Sequence, residues 1–245
     1  TLWDDLSNSS IPNVEVRLAI EVPARLPAIV TTASGDVATH GIEGRQKLRT
    51  ASGDVTIDGA GVVDVATASG EVTAGAIRTG QIQTVSGDVK CVDPHGELDV
   101  QTTSGDIHVD GAGDSLRVRT VSGQIHLDRA PHGLDLESTS GGAEVGESAG
   151  HVSMRSVSGD LEVRLAEPLS EAEITSQSGT LTLDLDSRVA CALRATSSSG
   201  EINFRMPVQA RTLSRGQVSA TVRGGTTPVH LRTVSGDINV MGGGR

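Results

Sequence analysis

Asp88, Asp106, His108 and His126 are the residues whose types and spacing best suit metal chemistry. Asp88 and Asp106 are 18 residues apart, each two residues after a serine in a recurring Ser-Gly-Asp tripeptide. If equivalent positions stack at the ~4.8 Å spacing of β-strands, the two carboxylates repel each other, and a hard cation such as calcium relieves that repulsion. His108 and His126 share a column with Lys90, Glu144 and Glu162, and imidazoles in register with carboxylates are metal-ligand types. Two features weigh against a metal. The acidic column is interrupted at Gln124, Gly142 and Thr180, and side chains that run parallel on a flat face do not converge on a tetrahedron. The glycine-rich nonapeptide repeat of calcium solenoids is also absent. The favoured reading is structural: the aspartates accept hydrogen bonds from turn N–H groups. The histidines belong to a solvated face with a His126–Glu144 pair. Calcium at the Asp column stands as the alternative.

No other constellation offers a reaction. The Ser-Gly serines recur throughout, without a Gly-x-Ser-x-Gly elbow or a dedicated His and Asp. Pro94-His95-Gly96 and Pro131-His132-Gly133 read as turn residues, and Arg119, Glu137 and Arg155 as an outward ladder of alternating charge. No nucleotide-binding loop, zinc-finger spacing or metalloprotease motif is present. The expectation is no catalytic residue and no cofactor.

The elements that carry these residues follow from the repeat. Ser-Gly occurs at Ser34, Ser52, Ser69, Ser86, Ser104, Ser122, Ser140, Ser158, Ser178, Ser199 and Ser235. The first seven intervals are 17 or 18 residues, the next two are 20 and 21, and the last is 36. Four residues before the serine comes an apolar column (Leu48, Val65, Ile82, Val100, Val118), and three after it another (Val55, Val72, Val89, Ile107, Ile125). Polar residues lie between them, which is the period-two pattern of short strands. The fold class is therefore all-β: a single-stranded parallel β-solenoid of about twelve coils of 17–21 residues, without long helices. Two residues before each serine a Thr/Ser column points inward as a hydroxyl ladder, bonded to itself or to corner backbone groups.

Three regions follow. Residues 1–28 lack the motif and read as an N-terminal cap and leading strand, with Val14, Val16, Leu18 and Ile20 alternating. Residues 29–241 form the solenoid, with Thr212–Val222 as an irregular twelfth coil, and residues 242–245 form a flexible tail. An uncovered C-terminal coil would permit end-to-end self-association. Cys91 and Cys191, about six repeats or ~29 Å apart, are too distant for a disulfide and read as small buried residues.

Composition excludes some partners. The net charge of -11 opposes nucleic acid and anionic membranes. No apolar run is long enough to span a bilayer, so direct membrane insertion is not expected. The chain starts at Thr1 without a signal-peptide pattern, and the compartment, envelope-associated or cytoplasmic, stays open.

The repeated Thr-x-Ser-Gly-Asp-Val-x-Val text is clearest at residues 50–57, 84–91, 102–109 and 233–240. It resembles a bacterial adhesin-named family of β-strand-repeat proteins of unknown function, related to toastrack-type domains found with envelope-stress systems. The resemblance covers about residues 14–240. It implies a bacterial source, a β-solenoid, no cofactor, no established catalytic residue, and an adhesive or envelope-linked role. The expected function is a non-enzymatic scaffold or interaction module whose partner is a protein or cell-surface polymer. A polysaccharide-active β-helix enzyme is the alternative, ahead of a calcium- or ice-surface-binding solenoid.

Overall fold

The computed structural model describes residues 18–208, 210–214 and 216–242. Each repeat runs along a long strand into the Ser-Gly corner and leaves it along a short one. Arg45–Ser52 leads to Val55–Asp58, and Leu98–Ser104 leads to Ile107–Asp110. The burial alternates as the columns require. In Arg45–Ser52, Gln46, Leu48 and Thr50 are buried while their neighbours face outward. The aliphatic columns meet in one continuous core, in which Leu48, Val65, Ile82, Val100, Val118 and Leu136 are fully enclosed. No helix occurs among the described residues.

Long strands stack on long strands and short on short, parallel and in register. Followed through the pairings, the corner serines stack in the order 34, 52, 69, 86, 104, 122, 140, 158, 178, 235, 199. The solenoid is as expected, with two corrections. Eleven corners stack, not twelve, and the last two are reversed relative to the chain. Thr227–Ser235 pairs with Leu161–Ser178 on one side and Cys191–Ser199 on the other. Ile238–Gly242 likewise lies between Leu181–Leu185 and Ile202–Arg205. The C-terminal coil is thus intercalated, with both edges paired, and does not form an uncovered end.

The stretch read as a twelfth coil is instead an antiparallel hairpin. Ala210–Ser214 pairs with Gln217–Val222, which runs antiparallel to Cys191–Ser199 and covers that strand's outer edge. Gly216, at φ 70°, permits the reversal that a solenoid corner would not make. This hairpin carries the chain back far enough for the last repeat to enter beneath the previous one. Val14 and Val16 lie outside the described residues, as do residues 243–245. Leu18 and Ile20 belong to no strand and are exposed.

Candidate functional site

The corner shows what the recurring tripeptide does. All six aspartates of its third position accept a backbone hydrogen bond from the next coil. Asp36 Oδ1 takes the N–H of Asp54 at 3.0 Å, Asp54 that of Glu71 at 2.9 Å, and Asp88 that of Asp106 at 2.9 Å. Asp106 takes that of Gln124 at 2.8 Å, Asp160 that of Thr180 at 2.7 Å, and Asp237 that of Glu201 at 2.9 Å. The turn N–H groups were expected as donors, but each belongs to the neighbouring coil. Each carboxylate therefore holds two coils together. Asp88 and Asp106 stand in this chain of bonds, which relieves the need for a cation between them.

Glycine is required at the corner for two reasons. Gly123 has φ 134°, and a Cβ on it would collide with the carbonyl oxygen of Gly105 in the coil below. Stacked corners thus approach more closely than any side chain allows. The hydroxyl column is buried as expected, but it bonds to the corner backbone and not along itself. Thr50, Thr67 and Thr120 donate to the carbonyls of Ser52, Ser69 and Ser122 at 3.0–3.1 Å. Thr84, Thr102, Ser138, Ser156 and Thr233 are buried without a partner. The corner serines Ser69, Ser86 and Ser122 donate to carbonyls of the adjacent coil at 3.4 Å.

His108 and His126 lie on the short strands Ile107–Asp110 and Ile125–Ala130, which leave the corner. Their rings stack with centroids 5.1 Å apart and an interplanar angle of 1°. His126 faces Glu144 at 3.3 Å and Asp128 at 3.1 Å, so the expected pair forms with a second carboxylate added. The structure does not bring the four residues singled out from the sequence to one point. Among the described residues no group of three or more His, Cys, Asp or Glu side chains is placed to hold a metal. Cys91 and Cys191 are buried and unpaired. Burial pushes their thiols up to about 12 and about 11, away from nucleophilic thiolate chemistry.

The outer surface of the long strands is where chemistry-bearing side chains collect. Arg117 pairs with Asp135 at 3.2 Å, Arg119 with Glu137 at 3.1 Å and with Asp99 at 4.0 Å, and Arg155 with Glu173 at 3.6 Å. The hydrogen bond that Arg117 donates to Asp135 holds its guanidinium above its ordinary value. Glu137 turns to Arg119 rather than to Arg155, so the expected three-member ladder is two separate pairs. Shallow grooves follow this face. One of about 450 Å³ is lined by Gln101, Thr103, Arg119, Val121 and Glu137, and a second of about 470 Å³ by Arg117, His132, Asp135 and His151. His132, read as a turn residue, thus reaches the rim of a groove. Asp99, Arg117, Asp135 and Glu173 were missed in the sequence. They form the outward column five residues before the serine, which alternation alone could have flagged.

The repeats are also what comparison with known families detects. The family model described as Toastrack DUF4097 matches residues 26–132 and 96–241. The chain belongs to the Toastrack DUF4097 family. No curated protein and no solved structure matches it. The Toastrack model fits twice, sharing residues 96–132, as a regular repeat allows when the same pattern can be laid at two offsets. The toastrack part of the resemblance is established by this match. In this Toastrack chain in-register carboxylates bind backbone, thiols are buried, and charged side chains form pairs across a broad exposed sheet.

Proposed function

We propose that this Toastrack protein is a non-enzymatic scaffold. Its long face binds an extended partner, in an adhesin-like role at the bacterial cell envelope. One observation carries the reading: all six corner aspartates, the repeated acidic groups best placed to act together, are committed to backbone hydrogen bonds between coils. What remains available is surface. Eleven strands at ~4.8 Å spacing present roughly 50 Å of outward columns, suited to a partner that runs along the stack. Exposed Val85, Val121, Val157 and Val234 line one column of it beside the ion pairs. Sugar-processing sites rely on aromatic platforms and a localised carboxylate pair, and this chain is only 1% aromatic.

The test is co-sedimentation of purified protein with isolated bacterial envelopes, alongside turnover assays on envelope polymers. Saturable envelope binding lost in a Val121→Glu variant is the expected result. Saturable turnover of a polymer, abolished by a point substitution, would overturn the reading.

A further inference from the structure

The cation pairing of the long face stops at its last two parallel strands. From Leu98 to Ser178 every arginine on this face has a carboxylate partner, and His151 has Glu171 at 3.8 Å. Beyond that point come Arg194, His230 and Arg232, all exposed and none in an ion pair among the described residues. Register sets Arg194 beside His230 on adjacent strands, and Arg232 beside Thr196. Arg232 follows His230 by two residues on the same face, ~7 Å along the strand.

Chain order alone would stack Cys191–Ser199 on Leu161–Ser178 and bring Arg194 against Glu173. Intercalation of Thr227–Ser235 separates them: Glu173 lies beside His230 in register and its carboxylate pairs with Arg155, which leaves Arg194 on the far side of His230. The local composition points the same way. Residues 191–235 hold six arginines and one carboxylate, Glu201, in a chain of net charge -11. Two grooves, of about 400 and about 370 Å³, meet at Arg194 and His230, with hydroxyls from Thr175, Thr196, Ser219 and Thr221 in their walls; Glu171 and Glu173, paired with His151 and Arg155, line the far side of the second.

We infer that Arg194, His230 and Arg232 form a binding site for an oxyanion carried by the partner, a phosphate or a carboxylate. Planar guanidinium forks match either group, and neighbouring hydroxyls supply further donors. The site rests on the reading of the long face as a contact surface and names the chemistry recognised there. The excess of positive charge is confined to residues 191–235, so the bound oxyanion is held at this end of the face.

The experiment is titration of the full chain with inorganic pyrophosphate and, separately, with an oligoglutamate peptide, followed by calorimetry and amide NMR shifts. Saturable binding that weakens with added salt and shifts amides around Arg194 and Arg232 is expected. The tighter of the two probes identifies a phosphate or a carboxylate source. The double substitution Arg194→Gln and Arg232→Gln should weaken binding at least tenfold. The control Arg45→Gln and Lys47→Gln removes equal charge from the opposite end of the same face and should change it less than twofold. Absence of binding by both probes, or equal loss in the two double variants, overturns the site. Envelope binding with no anion binding removes this site and leaves the scaffold reading, whereas polymer turnover removes the scaffold reading and leaves anion binding intact.

Discussion

Asp237 accepts a hydrogen bond from the backbone N–H of Glu201 at 2.9 Å, although the two are 36 residues apart and Asp237 comes later in the chain. Elsewhere in the stack each such aspartate bonds to a residue that follows it. The reversed pair records the intercalation of the last repeat. It also shows that the corner bond works across any two stacked coils, whatever their chain order.

The corner aspartates should contribute stability individually. Asp106→Ala removes the acceptor for Gln124 N–H and should cost about 1–2 kcal/mol, while Asp106→Asn keeps an Oδ1 acceptor and should cost less. Urea unfolding reads both. Calcium should leave the thermal midpoint unchanged. A rise that Asp88→Ala and Asp106→Ala each abolish would favour the calcium alternative instead.

Two glycines separate conformational freedom from close approach. Gly111 has φ 79° with nothing within 4 Å of an added Cβ, so Gly111→Ala should cost about 1 kcal/mol. Gly123→Ala adds a collision with the Gly105 carbonyl and should cost several-fold more, enough to lower soluble yield. Equal thermal midpoints for the two variants would refute the close-stacking account.

The hydroxyl column offers a sharper contrast. Thr120 donates to Ser122 O at 3.1 Å, so Thr120→Val should destabilise by about 1 kcal/mol. Thr84 is equally buried but has no partner, and Thr84→Val should be neutral or stabilising. Chemical denaturation of the pair decides the matter.

The thiols predict a dependence on alkaline pH. Burial holds the Cys91 thiol at about 12 against an ordinary 9.0, so the folded state keeps a proton that the unfolded state releases. The stability from this burial is fully present below pH 9.0 and falls as the pH rises towards about 12. Cys191, held at about 11, acts in the same direction. Cys91→Ala together with Cys191→Ala should flatten the alkaline decline in unfolding free energy. Neither thiol of the native protein should react with a thiol reagent at neutral pH, and both should react in denaturant.

Removing the last repeat should damage the interior of the stack. A chain ending at Gly225 lacks Thr227–Ser235 and Ile238–Gly242, which pair on both sides. Hydrogen exchange should show lost protection in Leu181–Leu185 and Cys191–Ser199, with Leu98–Ser104 unchanged. Protection retained in Cys191–Ser199 would mean that it stacks directly on Leu161–Ser178 in the absence of the last repeat.

Most of the fold is legible in local text. Alternation places Leu48 and Thr50 inward and Arg49 outward, and each Ser-Gly marks a corner, because a period of two leaves each side chain only one face to occupy. The Asp column was legible as a hydrogen-bond acceptor but not as a link between coils, since its donor lies a full coil away. The hairpin was misread because Thr212–Val222 carries the same alternation whether it runs parallel or antiparallel. The four candidate metal residues do not form one cluster because columns in a solenoid run parallel: His108 stacks on His126, while Asp88 bonds the backbone N–H of Asp106.

The sequence by itself determined the coil: its period, its corners, and the inward or outward side of nearly every residue. Only the tertiary structure decided which coil rests on which, and with it the Asp237–Glu201 bond, the shielding of the C-terminal repeat, and the separation of Arg194 from Glu173. The reason is that every repeat presents the same apolar columns and the same corner to its neighbours. Local pattern therefore rewards any stacking order nearly equally. The choice among orders falls to the hairpin before the last repeat, which turns the chain back and sets where that repeat can enter.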